Sequence, residues 1–319
     1  MPKVIDAFHL RDATIAVIRG MTWPALRPYA ISLSQSGFKG EKVIFVESVT
    51  QDVVENLQRL GFLVIPRTPM APSQSDIQTM QADWVYGKYR IDPVIAFLEH
   101  NPARYVIWTD VRDVVFQSNP SDWLEKNLGG YKLVVAGLGR TLQSCPYNGL
   151  WARVASGSAV AVSGSNNSAF AYQLTGEDDL WEQIKDQEGV AFSTCAGEYR
   201  EMLDLLRDLQ GGCAAIPGTT DQGIFNCLIR TDPYKEITWV PPLSAGFSAQ
   251  WWLGRPEAEI DLPEYGFPVF NTDDHIVYTP DGKTPMAIVH MYDRSAEWTG
   301  AINEKFSKAR EEREDEGEI

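Results

Sequence analysis

The chain has 319 residues, 44% of them hydrophobic and 22% charged, enough apolar material for a large globular core. Its formal net charge of −15 repels a phosphate backbone. General nucleic-acid binding is excluded on that ground, though not a small phosphorylated ligand in a local pocket. The apolar runs are strand-sized, so no transmembrane segment is expected, and the charged start MPKVIDAFHLRD does not read as a signal peptide. A soluble, cytoplasmic protein is the expectation.

In chain order, residues 14–18 (TIAVI) read as the first strand. Pro24 suits the first turn of a helix running to about Ser36, with Leu26, Ala30 and Leu33 on one face. Residues 42–46 form a second strand, 52–60 a helix closed by Gly61, and 62–65 a third strand ended by Pro66. Such strand–helix alternation marks a parallel sheet with covering helices. A helix over 87–99 precedes 105–109 (YVIWT), the strongest buried strand. Another strand is expected at 133–136. Residues 137–170, rich in Gly, Ser and Asn, read as an elaborated loop region with short strands. A strand at 190–194 leads to a helix over 198–209, and Gly211 and Gly212 open a loop. A short helix begins at Gln222, and late strands fall at 238–240 and 287–289. One domain spans residues 1–300, and residues 301–319 form a charged helical tail ending in EEREDEGEI.

Three features carry chemistry. The first is Tyr105-Val-Ile-Trp-Thr-Asp110-Val-Arg-Asp113-Val-Val-Phe-Gln117. An apolar strand delivers two carboxylates at its carboxyl end, where open α/β sheets bind ligands. Two carboxylates with phosphate oxygens and water suit Mg²⁺ or Mn²⁺. The plainer alternative has Asp110 capping the turn and Asp113 paired with a surface cation such as Arg112. The second is a late strand ending on His290, with Arg294 four residues on. A neutral imidazole is a third ligand for Mn²⁺, and an arginine holds phosphate. The alternative is an ordinary half-buried histidine. The third is Gly218-Thr-Thr-Asp221-Gln222-Gly223-Ile-Phe-Asn226, a helix start with Thr220 or Asp221 as the ordinary cap.

These features, in this order, resemble the GT-A class of glycosyltransferases. Asp110-x-x-Asp113 stands where that class has its Asp-x-Asp metal motif. Asp221-Gln-Gly-Ile-Phe-Asn226 is similar to the Asp-Gln-Gly-x-x-Asn of the glycogenin-like family 8, and His290 matches that family's late histidine. The resemblance implies an α/β fold with a mixed, mostly parallel sheet. It implies Mn²⁺ or Mg²⁺ on Asp110, Asp113 and His290, with Asp110 also near the ribose of a nucleotide-sugar donor. A UDP-sugar is the default donor, and a glycan or other hydroxyl is the acceptor. Asp221 and Gln222 would face donor sugar or acceptor, and Arg90 would contact the donor. Arg19 and Gly20 would line the base pocket. Arg112, between the aspartates, would contact the donor or screen them.

This sequence also departs from family 8. Cys195-Ala196-Gly197 replaces Asn-Ala-Gly or Asn-Ser-Gly in the donor site. The aspartates are three apart, not two, and Arg294 stands in for the family's late lysine. Asn148, in Cys145-Pro-Tyr-Asn148-Gly-Leu-Trp151, would hydrogen-bond sugar hydroxyls, although Asn-Gly is also a turn signal. Trp251 and Trp252 would stack on the acceptor. The four cysteines, Cys145, Cys195, Cys213 and Cys227, lack metal-site spacing and read as buried thiols. A Cys145–Cys195 bridge stays open for a secreted chain. Two other functions compete: a phosphohydrolase with Asp110 as nucleophile, and a nucleotide-sugar-binding fold without turnover. The hydrolase normally carries its Asp-x-Asp on the first strand, whereas here three strands come before it.

Overall fold

The computed structural model describes residues 11–68, 90–157, 159–162, 171–174, 179–216, 219–250 and 266–315. The chain opens with β1 (Ala13–Arg19), α1 (Trp23–Gln35), β2 (Glu41–Glu47), α2 (Gln51–Arg59) and β3 (Phe62–Pro66). Next come α3 (Asp92–Leu98), β4 (Tyr105–Thr109), β5 (Val114–Phe116), α4 (Pro120–Asn127), β6 (Leu133–Thr141) and α5 (Pro146–Ala155). The strands β7 (Ala159–Val162) and β8 (Ala171–Leu174) precede α6 (Asp179–Ile184), β9 (Glu188–Glu198), α7 (Tyr199–Ala215) and α8 (Asp221–Leu228). Short strands β10 (Thr238–Trp239), β11 (Ser248–Gln250), β12 (Val269–Asn271), β13 (Ile276–Tyr278) and β14 (Ile288–His290) lead to α9 (Ala296–Asp315).

Seven strands form the main sheet, in the order β10-β6-β9-β4-β1-β2-β3. All its pairings are parallel except those of β9, which runs antiparallel to both β4 and β6. Alternate residues of β1 serve opposite faces, as the period of a strand demands. Ile15 joins Phe45, Trp108, Phe192 and Leu206 on one side, while Ala16 and Ile18 join Leu26, Ile44 and Ile107 on the other. A second sheet has the order β11-β14-β5. Its Val115 and Val289 pack with Trp298, Ile302 and Phe306 of α9.

Several elements differ from the sequence reading. The expected loop at 137–170 contains α5, and Asn148-Gly149 lies in its first turn rather than in a β-turn. Gly149 is there because the helix presses on the residue that follows β6: a Cβ would meet the carbonyl oxygen of Leu142 at 2.1 Å. Gly211 and Gly212 continue α7 instead of ending it. A Cβ on Gly212 would lie 2.6 Å from Ile224, so the glycine allows α7 and α8 to close on each other. The boundary expected at residue 300 falls inside α9, whose Ile302 and Phe306 are buried. The start of the tail therefore belongs to the core. Trp251 and Trp252 lie outside the described residues. Among those described, no helix is long and apolar enough to cross a membrane. None of the four cysteines is in a disulfide.

Candidate active site and metal centre

The apolar residues of β4 bury the strand and deliver Asp110 at its carboxyl end. The Asp110 backbone N–H donates to the Ser193 carbonyl of β9 (2.9 Å). The chain then turns through Asp113 into β5. Antiparallel pairing of β5 with β14 sets His290 opposite Val114. The Met291 N–H donates to the Asp113 carbonyl (2.7 Å), and Met291 adopts φ 61°. A left-handed methionine is strained, so this turn is held by the structure around it.

Asp110, Asp113 and His290 thereby converge. One ligating atom from each lies within 4.8 Å of the others. Asp113 and His290 are each 6% exposed, and His290 Nε2 stands 3.6 Å from Asp113 Oδ1. On its other side, His290 Nδ1 lies 2.5 Å from Gln250 Oε1 and 3.1 Å from Ser193 Oγ. The parallel register of β11 and β14 places Gln250 there. A carboxamide oxygen only accepts, so Nδ1 is the nitrogen that donates to Gln250, and Nε2 is the nitrogen that faces the carboxylates. Two carboxylates and an imidazole together fit a divalent cation. Burial raises the pKa of Asp113, the charges of Asp110 and Asp293 add to it, and His290 and Arg112 oppose. Burial also works to raise that of Asp110, but Arg90, His290 and Arg112 outweigh it and hold the carboxyl below the usual range.

Arg90 ties this centre to α8. Its Nη1 reaches Asp110 Oδ1 at 2.5 Å, and its Nε and Nη2 reach Asp221 Oδ2 at 3.0 and 2.9 Å. The guanidinium lies 5.3 Å from the ring centroids of both Trp108 and Phe192, which stack on each other. Burial alone would disfavour its charge, but the two carboxylates outweigh that. Asp221 Oδ1 accepts from the Gln222 N–H (2.7 Å), and Thr220 caps α8 by accepting from the Gly223 N–H (2.9 Å).

Solved structures share the fold of this chain. The galactosyltransferase LgtC, in complex with donor and acceptor sugar analogues, superposes over 93% of this chain and 94% of its own. The TM-score is 0.52 and the identity 12%. The bifunctional glycosyltransferase WbbM, in its apo form, matches 96% of this chain and 52% of its own, with TM-score 0.55 and 12% identity. The chain has a GT-A glycosyltransferase fold. No protein-family model and no curated protein matches the sequence.

Within the GT-A fold, the remaining expected residues scatter. Arg19 and Gly20 end β1 on the same sheet edge as Asp110. Arg19 Nε lies 3.2 Å from Glu47 Oε1, and the Gly20 N–H donates to the Glu47 carbonyl (2.9 Å). Arg112 is largely exposed and lies 3.6 Å from Asp293, while its charge acts on both Asp110 and Asp113. Arg294 also reaches Asp293 (3.1 Å) and stands 4.0 Å from Asp113 Oδ2. Cys195, Ala196 and Gly197 are internal to β9, opposite Trp108, Ile107 and Val106. Because β9 is antiparallel to β4, they run away from Asp110. Cys195 alone of the three stays near the centre. Burial raises its thiol pKa, with Arg90 opposing and Asp110 adding to it. Gln222 turns to β9, where its Oε1 accepts from the Phe192 N–H (2.8 Å) and its Nε2 donates to the Val190 carbonyl. The sequence reading missed Ser193, Gln250 and Asp293. Their only signal is polarity within or beside apolar strands.

Proposed function

We propose that the protein is a divalent-metal-dependent glycosyltransferase. It moves a sugar from a nucleotide-diphosphate sugar, with UDP-sugars favoured, to a hydroxyl of a glycan or other acceptor, retaining anomeric configuration. The observation that carries this reading is the convergence of Asp110, Asp113 and His290 at the carboxyl edge of β4. The fold it shares with LgtC, a galactosyltransferase bound to donor and acceptor sugar analogues, supports it.

Asp110, Asp113 and His290 Nε2 would hold Mn²⁺ or Mg²⁺. Bound there, the ion supplies charge stabilisation to a departing diphosphate. The chain's own residues do the rest. Gln250 holds the His290 tautomer. Arg90 keeps Asp110 and Asp221 at a fixed separation across the mouth of the site. In the reaction, the acceptor oxygen bonds to the anomeric carbon as the bond to the diphosphate oxygen breaks. The hydroxyl proton leaves with the diphosphate. Both oxygens of Asp221 already accept hydrogen bonds, from Arg90 and from the Gln222 N–H. That supports a positioning role for Asp221 and a front-face retaining step in which the leaving diphosphate takes the proton.

The test is a panel of UDP-, GDP- and CMP-sugars with and without Mn²⁺, read by melting temperature beside Asp113→Ala. A ligand bound only by the folded state raises that temperature. We expect a shift for one nucleotide class that needs Mn²⁺ and vanishes in the variant. NMR of the product's anomeric centre then decides retention. No shift with any donor overturns the reading and favours the hydrolase, whereas a shift that does not depend on Mn²⁺ favours the binding fold without turnover.

A further inference from the structure

Helix α5 carries an aromatic pair beside the site. Tyr147 is 67% exposed, the largest value among the exposed large hydrophobics of the described residues. One turn on is Trp151, with ring centroids 6.1 Å apart and planes tilted by 39°. The i, i+4 spacing puts both on one face of the helix. A single exposed tyrosine is ordinary, but a tyrosine–tryptophan pair bordering a candidate active site is a recognition surface.

The border is set by close packing. A Cβ on Gly223 would lie 2.5 Å from the Trp151 carbonyl oxygen, so α8 meets α5 at that residue. Gly223 follows Asp221 by two positions, and Asp221 is held by Arg90. Between the two aromatic residues in sequence, Asn148 donates from Nδ2 to Cys145 Sγ (3.3 Å), and its carboxamide oxygen is buried without a partner among the described residues.

We infer that Tyr147 and Trp151 form the acceptor platform, and that the acceptor is a carbohydrate. The inference rests on the glycosyltransferase reading above. A pyranose presents slightly positive C–H groups on one face, which complement the negative face of an aromatic ring. A serine- or threonine-containing peptide offers no such face.

The experiment measures binding of lactose, maltose and cellobiose, and of a Ser/Thr peptide, by saturation-transfer NMR and calorimetry. The full chain is used with UDP and Mn²⁺ present. Tyr147→Ala tests the exposed ring, and Trp151→Phe is a second variant that spares the packing. We expect at least one disaccharide to bind, and Tyr147→Ala to weaken it about tenfold while nucleotide binding stays within about twofold. Saccharide affinity unchanged in both variants overturns the platform. So does binding of the peptide alone, or of no saccharide. Failure of nucleotide and Mn²⁺ to bind the unaltered chain instead sinks the donor reading, which is a separate outcome.

Discussion

His290 and Gln250, on parallel strands in direct register, share a hydrogen bond from Nδ1 to Oε1 of 2.5 Å, and that bond turns Nε2 toward Asp113. Replacing Gln250 by Leu keeps the volume but releases the tautomer. We expect Mn²⁺ affinity to fall about 10- to 100-fold. Asp113→Ala, which removes a ligand outright, falls further. Calorimetric Mn²⁺ titration of the folded variants checks both. Unchanged affinity in Gln250→Leu would show that Gln250 is not what orients the ring.

Arg90 is the single cation shared by Asp110 and Asp221 in the described site. Arg90→Met strands Asp221, whose side chain is 12% exposed, without its counter-ion. Urea unfolding should show a loss of about 2–4 kcal/mol. Arg90→Lys keeps the charge but not the planar fork that spans two carboxylates, so it should fall between. Equal stability of Met and native proteins would mean that the bridge is not formed in solution.

Asn226 is fully buried on α8 and satisfies the backbone of Val190 twice, accepting from its N–H and donating to its carbonyl (both 3.1 Å). Asn226→Leu leaves the N–H without this acceptor and should cost about 2–3 kcal/mol. Hydrogen exchange at Val190 should rise in the variant, and exchange unchanged there would contradict the contact.

Phe306 is 5% exposed on α9 and packs with Trp298 and Ile302. Phe306→Ala should destabilise the protein by about 3–5 kcal/mol. A cost below about 0.5 kcal/mol, the ordinary surface value, would restore a detachable tail beginning at residue 301.

Much of the framework was legible because its causes are local. Residues 105–109 are read as a strand by their own apolar and β-branched composition, and the structure gives Tyr105–Thr109. The helix Asp221–Leu228 begins one residue from the expected position because Thr220 is a good cap. The glycines misled because propensity describes an isolated segment. Gly149 and Gly212 sit inside helices for the sake of a neighbour pressed against them, and that neighbour lies elsewhere in the chain.

The sequence by itself determined that two aspartates follow a buried strand, that a histidine ends a late one, and that a helix capped at Thr220 or Asp221 begins near Gln222. Those are consequences of hydrophobic period and capping chemistry within a few residues. Only the tertiary structure decided which groups meet. Antiparallel pairing of β5 with β14 brings His290 to Asp113, and the β11 register brings Gln250 to His290. The direction of β9 supplies Ser193 and carries Gly197 away. Strand direction and register are set by long-range pairing and core packing, and no local pattern around these residues encodes them.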